Sequence, residues 1–146
     1  MAITAIIRMK GRFSLAPWVN TTLTSLRLSK LYSCTLVPET PSYKGMLQAC
    51  KDMVSYGAVE KEAVEYLLTK RGKTADGRKL SEVKKPEEIK KLAEAIASGK
   101  TPSEVGVDSL FALAPPRGGF GERKAQLPFG PLGKNPGVGK LIMLMA

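Results

Sequence analysis

Over residues 1–58 the hydrophobic rhythm of the chain alternates between two periods. Ile3 to Lys10 (ITAIIRMK) is an apolar, partly β-branched run that stops at Gly11, the pattern of a strand. Pro17 then suits the first turn of a helix whose apolar residues include Val19, Leu23 and Leu26, with Trp18 at its margin. Leu31 to Val37 predicts a second strand. Pro38 ends it, because a proline offers no amide to a ladder and holds the residue before it extended. Thr40 stands where an N-cap belongs and Pro41 at the first helical position, so a helix is expected over Ser42–Cys50 with Met46, Leu47 and Cys50 on one face. Met53 to Val59 predicts a third strand. The result is a compact β-α-β-α-β layer of α+β class.

Beyond it the pattern becomes helical. Residues 59–71 place Ala63, Val64, Leu67 and Leu68 on one side, and Pro86–Ser98 repeats the arrangement with Ile89, Leu92, Ala93 and Ile96 before Gly99. The segment between them, GKTADGRKLSEVKK, reads as a basic, turn-rich connector, and Ser109–Ala114 as a late strand. The last third changes character: seven of the fourteen glycines and five of the ten prolines fall between Pro115 and Gly139, which excludes a regular helix or sheet interior. That stretch is expected to be an extended arm, closed by an apolar tail, Val138–Met145, that packs back onto the domain. The expected organisation is therefore a β-α-β-α-β core over 1–58, a helical extension with a late strand over 59–114, and a Pro/Gly-rich arm with its tail over 115–146, all packed as one domain.

Charge changes the picture. The chain has 146 residues, with 23 Lys and Arg against 13 Asp and Glu, a net charge of +10. Seven cations and two anions lie in residues 1–58, five and one in 109–146, while the middle carries eleven and ten. The excess is concentrated at the two ends, which suits a polyanionic partner there and a salt-bridged surface between. Charge by itself leaves nucleic acid, a membrane surface and a merely basic protein open. The chain contains no His, which removes imidazole acid-base chemistry, Ser-His and Cys-His nucleophile pairs and the commonest transition-metal ligand. Cys34 and Cys50, with no other Cys or His, cannot make an ordinary zinc site and read as buried free thiols. The N-terminal stretch lacks a signal-peptide pattern and no run approaches a membrane span, so the expectation is a cytoplasmic chain without membrane contact.

Two phosphate-loop patterns fail on inspection. GKNPGVGK (133–140) has Lys134 where the first glycine of the loop belongs and Leu141 where Ser or Thr must follow. Gly119 and Gly121 begin a dinucleotide fingerprint that Lys124 breaks. Neither an enzyme with a small-molecule substrate nor a cofactor is expected. PPRGGFG (115–121) holds more promise: two prolines extend the backbone, Arg117 offers a guanidinium, Gly118 and Gly119 permit close approach, and Phe120 supplies a stacking surface. By composition alone it fits an RNA-packing arm or a linker equally. Arg8, Lys10 and Arg12 alternate at period two and would share one face of the first strand, either toward phosphate or as a solvated face. Arg27, Lys30 and Lys44 add charge to the same layer. Tyr32, Tyr43 and Tyr56 are either base-stacking or half-buried tyrosines.

CTLVPETPSYKGM (34–46) with the following MVSYG, and LAPPRGGFG (113–121), together resemble the L-thirty family of large-ribosomal-subunit proteins. The likeness is to its longer archaeal and eukaryotic branch, called L-seven in eukaryotes. VNTTLTSLRLSKLYSC (19–34) echoes that family's first helix. The resemblance covers residues 3–72 well, the Pro-Pro-Arg-Gly-Gly-Phe segment sharply and 73–108 in outline. It implies a ferredoxin-like core with two helices on one face of a small antiparallel sheet, added helices, and a C-terminal arm. The implied role is a structural constituent of the large subunit that binds and stabilises folded rRNA, without catalysis or cofactor. A freestanding nucleic-acid-binding regulator is the alternative. The implied partners are large-subunit rRNA, with the 5S rRNA region and neighbouring ribosomal proteins as further candidates. Phosphate contacts are expected at Arg8, Lys10, Arg12, Arg27, Lys30 and Lys44, a contact at the helix start from Tyr43, and closer contacts along Arg117, Gly118, Gly119, Phe120, Arg123 and Lys124. The family commonly carries His where this chain has Ala114.

Overall fold

The computed structural model describes residues 3–11, 16–117 and 132–146. Its strands are β1 (Ile3–Arg8), β2 (Ser33–Pro38), β3 (Val54–Ala58), β4 (Leu110–Ala112) and β5 (Gly133–Lys134). Its helices are α1 (Pro17–Ser25), α2 (Pro41–Cys50), α3 (Lys61–Arg71), α4 (Leu80–Val83), α5 (Pro86–Ala97) and α6 (Val138–Met145), with a 3-10 turn at Pro102–Val105. The sheet order is β4-β2-β1-β3-β5. β1 pairs antiparallel with both β2 (Ile3 opposite Pro38) and β3 (Arg8 opposite Val54), β4 is antiparallel to β2, and β5 is parallel to β3. The central β-α-β-α-β unit is the ferredoxin-like core.

Every residue of β1 is buried, because the sheet is covered on both faces. Ile3, Ala5 and Ile7 pack with Cys34, Leu36 and the inner residues of α3, α5 and α6. Ile6 points the other way, into a second core with Leu23, Leu26 and Leu28 around α1, and Leu47 and Cys50 from α2. The alternation of Cβ direction along one strand thus feeds two cores. The helices beyond residue 59 cover the face that α1 and α2 leave open.

Local chemistry sets the joints. Thr40 caps α2, its hydroxyl accepting from the Tyr43 amide at 3.4 Å, with Pro41 in the first turn. β2 begins at Ser33, two residues later than its apolar pattern predicts. Tyr32 has φ +60° and cannot continue a strand, yet its amide still donates to Arg8 O at 2.9 Å and its carbonyl accepts from Leu113 at 3.1 Å. At Gly57 a Cβ would lie 2.1 Å from the Asn135 carbonyl oxygen. Only glycine lets the residues before α6 lie directly on β3, where the Asn135 amide donates to Tyr56 O at 2.6 Å. Asn135 also accepts from the Gly137 amide at 2.9 Å through Oδ1, which turns the chain into α6. Val138, Ile142 and Met145 then dock on the larger core. The connector between α3 and α5, expected to be turns alone, contains the short α4, whose Leu80 is buried.

Candidate nucleic-acid interface

The two-sided burial of the sheet overturns one expectation at once. Arg8 does not line an open strand face, since the even-numbered positions of β1 turn toward the layer of α1 and α2. Arg8 is only 2% exposed. Its guanidinium donates from Nη1 to Leu28 O at 2.6 Å and from Nε to Lys10 O at 2.9 Å. This arginine ties the turn after α1 to the end of β1, and the folded chain does not present it to a phosphate. Lys10 lies past the end of the strand and is half-exposed. Arg12 lies outside the described residues.

The remaining predicted cations fall into two groups. At one end β1 runs out and β2 and β3 begin: the Lys10 amide donates to Met53 O at 3.3 Å, and the Ser33 amide to Lys30 O at 3.3 Å. β4, paired antiparallel with Ser33–Thr35, leads the chain out at this same end toward Arg117. Ala114, which stands where the family commonly has His, uses its amide to donate to Met145 O at 3.0 Å. Lys30 and Arg117 are exposed. Gly118, Gly119, Phe120, Arg123 and Lys124 lie outside the described residues.

The other group gathers around the start of α2, which follows Pro38. Tyr43 and Lys44 sit on a ridge with a cavity on each side. On Tyr43's side a pocket of about 170 Å³ is walled by Ser25, Arg27, Thr35, Ser103 and Ser109. Among the described residues this pocket brings together two predicted contacts, Arg27 and Tyr43, and surrounds them with hydroxyls. On Lys44's side lies a wider groove of about 500 Å³, reaching across Tyr56 to Lys134. Lys44 itself bridges to Glu39 at 3.0 Å. The hydroxyls of Ser103 and Ser109 come from the far end of the chain and meet this pocket only through the fold. Lys134, expected only within the arm, joins the groove because β5 pairs it with Tyr56. Neither had a sequence signal.

Arg27 is held unusually. α1 ends in a Schellman turn: the Leu28 amide donates to Leu23 O at 2.9 Å and the Arg27 amide to Thr24 O at 3.0 Å. Leu23 and Leu28 close it with a buried apolar contact. The residue at the left-handed position of such a turn is usually glycine, yet here it is Arg27 with φ +60°. An exposed arginine kept where glycine is cheaper points to a use for its side chain.

The two thiols take no part in this surface. Both are free and buried, and burial pushes the Cys34 thiol up to about 12 and that of Cys50 to about 11. Among the described residues no group of three or more His, Cys, Asp or Glu could hold a metal ion. The only ion pairs between described residues are Lys44–Glu39 and Lys61–Glu94. Lys10, Arg27, Lys30 and Arg117 are therefore cations without a described counter-ion. Such a surface can neutralise phosphates at separated points, while its hydroxyl-lined pocket can accept and donate hydrogen bonds to a sugar-phosphate backbone.

Residues 4–54 match the family described as Ribosomal protein L30p/L7e. Across 136 residues the chain is 40% identical to the Large ribosomal subunit protein uL30 of Archaeoglobus fulgidus, covering 88% of this chain and 90% of that one. It is 34% identical to the uL30 of Methanothrix thermoacetophila over 97% of this chain and 98% of that one. To the uL30 of Thermofilum pendens it is 39% identical over 82% and 81%. Similarity over most of the chain to several archaeal proteins of one kind makes this chain a member of the uL30 (L30p/L7e) ribosomal protein family.

Proposed function

We propose that this protein is a structural constituent of the large ribosomal subunit that binds and stabilises folded rRNA. The observation that carries the reading is the set of cations without a counter-ion among the described residues, Lys10, Arg27, Lys30 and Arg117, in a chain that aligns almost end to end with relatives called large ribosomal subunit proteins. Separated cationic groups on one folded body bridge two RNA segments better than one continuous patch, because each group neutralises its own stretch of backbone. Lys10, Lys30 and Arg117 serve one segment. Arg27, Tyr43 and Lys44 serve the other, with the hydroxyls beside Arg27 reading backbone shape. Arg12, Gly118, Gly119, Phe120, Arg123 and Lys124 extend the first contact along the arm, and Arg8 is left out of the set as a structural residue. Neighbouring ribosomal proteins and the region of 5S rRNA are the further partners proposed, and the location that follows is the cytoplasmic ribosome. The test is co-sedimentation: the tagged protein should travel with the large subunit on a sucrose gradient and stay with it through a moderate-salt wash. Absence from that peak overturns the reading.

A further inference from the structure

We infer that the groove beside Lys44 takes a single unpaired nucleotide, an inference that rests on the ribosomal reading and adds a site to it. The groove lies between α2 and the β3–β5 edge and has a volume of about 500 Å³, within the range of small-ligand clefts at about 300–1,000 Å³. Its walls combine three kinds of chemistry. Tyr56 is a half-buried ring anchored on the core of α1 and α2, so its position is fixed before anything binds. Lys134 is the residue paired with Tyr56 in the parallel β3–β5 ladder, which sets an exposed ammonium beside the aromatic. Opposite them Glu39, Gln48 and Lys44 bring an acceptor, an amide and a second cation to the rim, with Thr4 contributing a hydroxyl.

A nucleotide fits this set better than a bare phosphate or a duplex does. A phosphate alone would meet the Glu39 carboxylate, which is already bound to Lys44 at 3.0 Å. A base has N–H donors for that carboxylate and for the Gln48 amide, and a π-face for Tyr56. Its own phosphate then reaches Lys134, which forms no ion pair among the described residues. A base paired in a duplex has both faces stacked and its Watson–Crick edge occupied, whereas an unstacked nucleotide in a loop or bulge offers a free face and that edge.

The test uses the full chain and two RNA probes. In the first, isotope-labelled protein is titrated with single-stranded ribohexamers and, separately, with a 12-base-pair RNA duplex. The amides of Gln48, Tyr56, Gly57 and Lys134 should shift with the hexamers and much less with the duplex, and equal shifts with both overturn the inference. In the second, archaeal large-subunit rRNA is bound by wild type, Tyr56→Leu, Tyr56→Phe and Lys134→Gln. Tyr56→Leu should weaken binding about tenfold while Tyr56→Phe, which keeps the stack, stays within about twofold of wild type. Lys134→Gln should lower the slope of log affinity against log salt by about 0.7. Lys134 is exposed, so its replacement reports on binding even if Tyr56→Leu unfolds the chain. Wild-type rRNA binding with all variants unchanged overturns the groove assignment alone. A wild type that does not bind rRNA overturns the ribosomal reading and this inference with it.

Discussion

Replacing Arg27 with glycine should make the free protein more stable and the RNA complex weaker. Arg27 occupies the left-handed position of the turn that ends α1, at φ +60°. A residue with a Cβ carries about 1–2 kcal/mol there. Glycine relieves that cost but brings extra freedom to the unfolded chain, which takes back about 0.5–1 kcal/mol. The hydrogen bonds of the turn, from Leu28 to Leu23 and from Arg27 to Thr24, are between backbone atoms and survive the change. The net gain is about 0.5–1 kcal/mol, which in a domain of this size raises the melting temperature by about 1–4 °C. Binding should move the opposite way. One lost phosphate contact lowers the salt slope of rRNA affinity by about 0.7–0.9. Calorimetry and filter binding across a salt series measure both quantities on the same preparation. Arg27→Lys, which keeps the Cβ and the charge, should leave stability and slope near wild type. A glycine variant no more stable than wild type would show that the turn stores no strain. An unchanged slope would place Arg27 away from phosphate.

Arg8→Met should keep the buried stem but strip the donors from Leu28 O and Lys10 O, costing about 3 kcal/mol and lowering the melting temperature by roughly 10 °C, with the salt slope of RNA binding unaltered. A reduced slope would mean the guanidinium does reach RNA. Gly57→Ala puts a methyl where the Asn135 carbonyl lies and should cost about 1–3 kcal/mol, with hydrogen exchange accelerating first at Asn135 and Val138; uniform acceleration would show that α6 does not open on its own. Cys34 and Cys50 should resist a thiol-specific disulfide reagent in the native state and react fully in denaturant. Both folded pKa values lie above the ordinary 9.0, so their contribution to stability is complete below pH 9. It should fall by about 1.4 kcal/mol per pH unit per thiol above that point, levelling near pH 11 for Cys50 and near 12 for Cys34. A Cys34→Ala variant as steeply destabilised by alkali as wild type would contradict this. Arg117→Ala should reduce incorporation into large subunits without moving the melting temperature, since the side chain is exposed, and a large loss of stability would make Arg117 a core residue.

Much of the fold was legible because apolar spacing and proline chemistry act locally. Four strands and four of the helices were readable from period and punctuation, and the Thr40–Pro41 cap came from residue types alone. What escaped depends on contacts between distant segments. β5 is two residues long and exists only because Gly57 lets Asn135 approach β3. The start of β2 was misplaced because the positive φ of Tyr32 leaves no mark in an apolar run. The candidate site was less legible still. The rhythm Arg8-Lys10-Arg12 states a shared face but not whether helices cover it, and at Arg8 they do. Arg27 and Tyr43 each stood out by charge or aromaticity, while their meeting across one pocket required the turn after α1 and the start of α2 to converge. The groove at Tyr56 draws on four separate segments, so no single stretch of sequence announces it.

The division of the interior into two cores bears on how the chain is made. Every buried side chain of the smaller core, from Ile6 to Val54, has been synthesised by residue 54 of the 146. The larger one joins Ile3 to Met145 and cannot close until almost the last residue described here has emerged. Contacts that span so much of the sequence are slow to form, because the intervening chain must first be gathered in. During synthesis the α1–α2 side therefore can mature first, carrying Arg27, Tyr43 and Lys44 in their final arrangement. The opposite sheet face meanwhile waits, apolar and uncovered, for helices still inside the exit tunnel. A newly made chain that meets RNA early would be held by its finished side while the rest folds against it.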